Sequence, residues 1–176
     1  GIGIPEKELR KKPFVAVCNS FSEINPGHKH LKQLAEAVRE GIYAGGGIPF
    51  EFGVPGPCDG LANGNEGMRY ILPQRDLIAD MIEMYVKSQW FDGMVTLSSC
   101  DKINPAMLMA IARLNIPSIC VTGGSNMMKI RFSPNFKGID HKLYDTLSEK
   151  MLMCTSATCG SCELVTTANT IQMLME

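Results

Sequence analysis

Apolar residues along this chain follow two different periods, and the switches between them mark out strands and helices. Phe14-Val15-Ala16-Val17-Cys18 is an unbroken apolar run ahead of polar Asn19-Ser20, which predicts a buried strand. Asn25-Pro26-Gly27 then predicts a loop. Leu31, Leu34, Val38 and Ile42 recur at helical spacing, so a helix is expected over His30–Tyr43, stopped by Gly45-Gly46-Gly47. Ile48–Val54 reads as a second strand, and Pro55-Gly56-Pro57-Cys58-Asp59-Gly60 as a turn-rich loop. A longer helical pattern over Gln74–Lys87 places Leu77, Ile78, Met81, Met84 and Tyr85 on its predicted buried side. Gly93–Leu97 is a third strand, Pro105–Leu114 a helix with proline in its first turn, and Pro117–Val121 a fourth strand ending at Gly123-Gly124. Residues 125–150 are less regular, with a turn predicted at Ser133-Pro134-Asn135 and a helix near Lys142–Lys150. Thr170–Glu176 reads as a helix without a stop signal, so the chain is expected to be a fragment cut at this end.

Strands that alternate with helices predict an α/β fold: three layers, α/β/α, around a mostly parallel sheet. Ligands of such sheets gather outside the carboxyl ends of the strands. The polar segments Cys18-Asn19-Ser20, Cys58-Asp59-Gly60, Cys100-Asp101-Lys102 and Gly123-Gly124 each follow a strand, so all are expected on one rim. No repeat or linker divides the chain, and residues 1–176 are expected to form one domain.

Composition narrows the function classes. The 176 residues are 45% hydrophobic and 20% charged, which suits a globular domain with a sizeable core. A formal net charge of −1 gives no electrostatic case for nucleic acid or an anionic membrane. No apolar run approaches the roughly 20 residues of a membrane span. The first residues lack the order of a signal peptide, so a cytoplasmic setting is the default expectation. Twelve methionines point to adaptable packing. Seven cysteines are many, and in a reducing compartment they suggest metal or redox chemistry.

Cys154, Cys159 and Cys162 are spaced C-x4-C-x2-C, close enough in sequence to reach one soft metal centre, and this spacing serves iron–sulfur clusters. Reduced thiols in a loop, or zinc at Cys159 and Cys162 with a second pair, fit the same spacing. Cys100-Asp101-Lys102 sets a thiol beside a carboxylate: thiolate suits iron, carboxylate suits Mg2+. A solvated charge pair beside a buried cysteine is the plainer reading. Asp59 is either a turn residue or a further oxygen donor to the same cation. His28 and His30, two apart, face different ways and suit loop capping or substrate contact better than a shared metal. Cys18 and Cys120 read as core residues.

Together these segments resemble the dihydroxy-acid dehydratase and phosphogluconate dehydratase family, in its amino-terminal part. The resemblance rests on Asn19-Ser20-Phe21, Asn25-Pro26-Gly27-His28-Lys29-His30-Leu31, Asp59-Gly60-Leu61 and Gly67-Met68-Arg69-Tyr70. It continues through Arg75-Asp76-Leu77-Ile78-Ala79-Asp80, Cys100-Asp101-Lys102-Ile103-Asn104-Pro105 and Thr158-Cys159-Gly160-Ser161-Cys162, to Thr167-Ala168-Asn169-Thr170. Arg69-Tyr70 and Arg113-Leu114-Asn115-Ile116-Pro117 are more similar to the dihydroxy-acid branch; Cys58 before Asp59-Gly60 is more similar to the phosphogluconate branch.

The resemblance implies a hydro-lyase that turns a 2,3-dihydroxy carboxylate into a 2-oxo acid, with branched-chain dihydroxy acids first and sugar acids as the alternative. It implies Cys100 and Cys162 as iron–sulfur ligands, with Cys159 or Cys58 as the third and Cys159 preferred. It implies Asp59, Asp101 and Lys102 as Mg2+ ligands, Lys102 after carbamylation, since an ammonium group cannot ligate a cation. Many members with a 2Fe–2S cluster carry cysteine where Gly27 stands here, so a 4Fe–4S cluster is expected. The segment between Gly124 and Cys154 is shorter than the resemblance leads one to expect. The family's later domain supplies the base and a further Mg2+ carboxylate, so this fragment alone is expected to be inactive and the full protein a homo-oligomer. A non-catalytic iron–sulfur module, with no use for Asp101 or Lys102, is the competing reading.

Overall fold

Ten elements make up the parts of the chain described by the computed structural model, which covers residues 3–126, 158–162 and 166–176. They run in the order α1 (Glu6–Leu9), β1 (Phe14–Asn19), α2 (Leu31–Ala44), β2 (Ile48–Gly53), α3 (Asp59–Ala62), α4 (Met68–Gln89), β3 (Gly93–Ser98), α5 (Ile103–Leu114), β4 (Ser118–Thr122) and α6 (Thr167–Met175). The turn expected at Ser133-Pro134-Asn135, the helix near Lys142–Lys150 and Cys154 lie outside the described residues.

The four strands form one all-parallel sheet in the order β2-β1-β3-β4. The central strands β1 and β3 are apolar enough to be buried between the layers, as a parallel sheet requires, while β2 and β4 at the edges are only partly buried. One face carries Ala16, Cys18 and Met94 against Ile78, Ile82 and Val86 of α4 and Ile103, Ala106, Met107 and Ala110 of α5. The other carries Val17 and Leu97 against Ala35, Leu34, Val38 and Ile42 of α2. Helices on both faces make the three-layer α/β/α architecture that the alternation predicts. Cys18 is fully buried beside the Met107 sulfur, as its place in the first strand suggests, and burial pushes its thiol far up. Cys120 is only half-buried, because β4 is the edge of this sheet.

The strand order reverses between β1 and β3. The chain leaves β1 toward β2 on one side and β3 toward β4 on the other, which opens a crevice between the carboxyl ends of β1 and β3. Asn19-Ser20 and Ser98-Ser99-Cys100 enter the loops there.

Two helices differ from the pattern read along the sequence. α4 begins at Met68, a full turn and more before Gln74, with Pro73 inside it. Pro73, the sixth residue of α4, forfeits one helical hydrogen bond, the one to the Arg69 carbonyl. The buried face of α4 is also rotated. Ile71, Ile78, Ala79, Ile82 and Val86 point inward, while Leu77, Met81, Met84 and Tyr85, which the sequence placed inside, are exposed. Two apolar stripes share this helix, and periodicity cannot choose between them. α5 starts at Ile103, two residues before the predicted start, which still leaves Pro105 in the first turn.

The corrected face is testable. Ile82→Ala should cost about 2–5 kcal/mol in urea denaturation of the chain, because it opens a cavity under α4. Leu77→Ala, at 59% exposed, should cost less than about 0.5 kcal/mol.

Candidate metal and cluster site

The loop after β1 is the frame of the site. His28 and Asn25 are both fully buried in it. The His28 Nδ1–H donates to the Ser20 carbonyl at 2.6 Å, and burial lowers the ring to about 4, so it is neutral at ordinary pH. His30 uses Nε2 on the Gly123 carbonyl at 2.7 Å and so ties this loop to the end of β4. Neither ring shares a bond with the other, and both serve as loop braces. The Asn25 carboxamide binds in three directions. Its Nδ2 donates to the Gly56 and Pro57 carbonyls at 3.1 Å each, its Oδ1 accepts from the Gly27 N–H at 2.9 Å, and both atoms lie 3.3 Å from Cys100 Sγ. One side chain thus joins the loops after β1, β2 and β3. Sequence reading assigned Asn25 only to a turn; its place in Asn25-Pro26-Gly27 was the available signal.

Around this bracket three cysteines meet. Cys58, Cys100 and Cys162 line one cavity of about 210 Å³ with Asp59, Gly60, Asp101, Thr166 and Ala168. Cys58 and Cys100 adjoin in this cavity. The Cys100 thiol beside the Cys58 sulfur lowers Cys58 to about 6; burial opposes this, and the backbone N–H groups of Leu61 and Gly60 add to it. The neighbouring Cys58 sulfur and burial push Cys100 far up. Cys162 is exposed at the cavity, close enough for its charge to act on Cys100. Cys159 is exposed and is not among the residues that line the cavity.

The oxygen donors adjoin the sulfurs. Asp59 opens α3, and Asp101 and Lys102 lead into α5. The Lys102 ammonium donates to Asp59 Oδ2 at 2.7 Å and to Asp101 Oδ2. Burial raises the Asp59 carboxyl above its usual range, against the pull of Lys102. Burial also acts upward on Asp101, but hydrogen bonds from Lys102 and Thr167 outweigh it and leave the carboxyl low. For Lys102, partial burial is outweighed by the two carboxylates, so its amine is held protonated.

Whether this donor set suits a cluster and a divalent cation can be judged from its own chemistry. Among the described residues, no three His, Cys, Asp or Glu side chains are already drawn into a closed ion cage. The fit lies in three other features. Asp59 Oδ1 is buried without a hydrogen-bond partner, an acceptor left for a cation. The Lys102 ammonium occupies the position between two carboxylates that a cation would take, and stands in for it. A Cβ on Gly27 would lie 2.8 Å from Cys100 Sγ, so only glycine leaves that sulfur uncrowded. Soft and hard donors therefore sit side by side, which suits the pairing of iron with Mg2+.

Comparison with known proteins bears on the family of the chain. The family described as dihydroxy-acid/6-phosphogluconate dehydratase N-terminal matches residues 12–176. The chain is 45% identical to the dihydroxy-acid dehydratase of Methanoregula boonei, over 99% of this chain and 34% of that protein. It is 46% identical to that of Methanospirillum hungatei, with the same coverage. It is 45% identical to that of Methanococcus vannielii, over 96% of this chain and 32% of that protein. The chain spans about a third of the length of these curated relatives. On the match over residues 12–176 and these identities, the chain belongs to the dihydroxy-acid and 6-phosphogluconate dehydratase family, aligning with its amino-terminal part.

Proposed function

We propose that this chain is the cofactor-holding part of a hydro-lyase that dehydrates a 2,3-dihydroxy carboxylate to a 2-oxo acid. The observation that carries it is the meeting of Cys58, Cys100 and Cys162 with Asp59 and Asp101 around one cavity at the strands' carboxyl rim. Cys100 and Cys162 would hold an iron–sulfur cluster, a 4Fe–4S cluster in preference to 2Fe–2S. Cys58 takes the third position ahead of Cys159, because it shares the cavity with Cys100 and Cys162. Asp59 and Asp101 would hold Mg2+, with Lys102 completing the set once carbamylated. That change turns a donor of hydrogen bonds into a carboxylate ligand: the ammonium gives up one proton, and the free amine nitrogen bonds to carbon dioxide with loss of a second.

When bound, the two metal groups supply Lewis-acid stabilisation of an enolate and of departing hydroxide, the two difficult parts of this dehydration. The protein's own contribution is placement. Asn25 fixes Cys100 beside Cys58. Lys102 holds the carboxylates Asp59 and Asp101 on one centre. Cys58, Cys100 and Cys162 would hold the cluster through three thiolates. The base is expected from the family's later domain, outside residues 1–176.

Names of the relatives favour branched dihydroxy acids over sugar acids as substrate. A purely electron-transferring module would have no use for Asp59, Asp101 and Lys102 beside the thiols. A cytoplasmic homo-oligomer is the setting proposed for the full-length protein. Among the described residues no helix is long and apolar enough to cross a membrane. The exposed Leu77, Met81 and Met84 of α4 form the kind of apolar surface that further protein covers.

Full-length protein purified without oxygen should dehydrate a branched 2,3-dihydroxy carboxylate in a Mg2+-dependent assay, and residues 1–176 alone should not. Lys102→Met should lower kcat by more than about 100-fold. Turnover by the fragment, or an unaffected Lys102→Met, would refute the assignment; activity on sugar acids alone would move it to the other branch. Iron analysis of the same protein should give about four iron atoms per chain. That iron should be lost in Cys58→Ala, Cys100→Ala and Cys162→Ala and kept in Cys159→Ala. Loss in Cys159→Ala with retention in Cys58→Ala would exchange their roles.

A further inference from the structure

Helix α6 carries a chain of buried hydrogen bonds that the proposed chemistry does not itself use. Asn169 and Gln172 lie one turn apart on it and are both buried. Asn169 Nδ2 donates to the Cys162 carbonyl at 2.7 Å. Its Oδ1 accepts from the Ser161 hydroxyl, whose oxygen in turn accepts from Gln172 Nε2 at 2.8 Å. The same Gln172 nitrogen lies 3.3 Å from the carbonyl of Ser99, the residue before Cys100. The chain of bonds therefore begins at the backbone of one thiol-bearing residue and ends beside another.

The backbone around Cys162 depends on it. Residues 160–162 contain no helix. They are held by a parallel bridge between Ser125 and Ser161, by Ser161 N–H on the Gly124 carbonyl at 2.9 Å, and by Gly160 N–H on the Pro26 carbonyl at 3.2 Å. Gly160, at φ 139°, packs so tightly against Asn126 that a Cβ would fall 2.4 Å from its nitrogen. The Asn169 carboxamide bond on the Cys162 carbonyl extends this hold to the peptide from which the exposed thiol projects. Thr167, at the start of the same helix, also bonds the Asp101 carboxylate.

We infer that Asn169 and Gln172 are positioning residues: through Ser161 they set the Cys162 thiol at a fixed place relative to Cys100, so that one cluster can bind both. This rests on the cluster reading above. Neither side chain touches the cluster. Each acts through the peptide of a ligand, in the manner of outer-shell groups that orient metal ligands.

Asn169→Asp and Gln172→Glu test this with little change of volume. Each removes the amide donor and sets a carboxylate oxygen against a carbonyl. In anaerobically purified full-length protein, the rate of iron loss to a chelator should rise roughly 10- to 100-fold in both. The electron paramagnetic resonance spectrum of the reduced cluster should change, while the thermal midpoint of the metal-free variants stays at the wild-type value. Two variants guard against one failing to fold. Wild-type release rates and spectra in both would overturn the inference and leave the cluster reading standing. A faster release matched by an equal fall in the stability of the metal-free protein would assign the network a structural role only and would overturn it too. A wild-type protein that takes up no iron would sink the cluster reading and this inference together.

Discussion

A parallel strand cannot return directly to its neighbour, so every connection crosses a face of the sheet and all four strands point their carboxyl ends at one rim. Everything chemical in this chain follows from that constraint. The loops after β1, β2 and β3 reach the same crevice although they are tens of residues apart in sequence. The Asn25 carboxamide then locks them together, with bonds to Gly56, Pro57, Gly27 and the Cys100 sulfur. A polar loop cluster this deeply buried is stable only because each loop satisfies the others' backbone groups.

The site concentrates charge of opposite preference. Sulfurs on Cys58 and Cys100 line one cavity; carboxylates on Asp59 and Asp101 share the Lys102 ammonium. Because Cys58 adjoins Asp59, and Cys100 adjoins Asp101, each loop delivers one soft and one hard donor. On the proposed reading, two short loops, from β2 and β3, would thereby serve two neighbouring centres. The third sulfur of that reading, on Cys162, comes from a segment far along the chain, where Asn169 of α6 bonds its carbonyl.

Much of this was legible in the sequence, for physical reasons. The central strands β1 and β3 read as apolar runs, and the edge strand β2 keeps Ile48, Phe50 and Phe52, so all three were found almost to the residue, and their polar sequels marked the rim. Cys100, Asp101, Lys102, Asp59 and Cys162 were singled out from motif and resemblance, and the structure places them together. What was not legible depends on contacts between distant loops. The two apolar stripes of α4 have equal periodicity, and only the sheet decides that Ile82, not Met81, faces inward. The third thiol ligand stays open between Cys58 and Cys159 in the sequence, because only the fold shows that the loop after β2 brings Cys58 into one cavity with Cys100 and Cys162. Asn25 looked like a turn residue because its partners lie some 31 and 75 positions away.

The most direct test of the account is to locate iron in a crystal of the anaerobically purified full-length protein by anomalous diffraction at the iron edge. The account predicts a single cluster of anomalous density bounded by Cys58, Cys100 and Cys162, with Asp59 and Asp101 on its flank. Iron bound at Cys159 without Cys58, or no iron at this cavity, would contradict it.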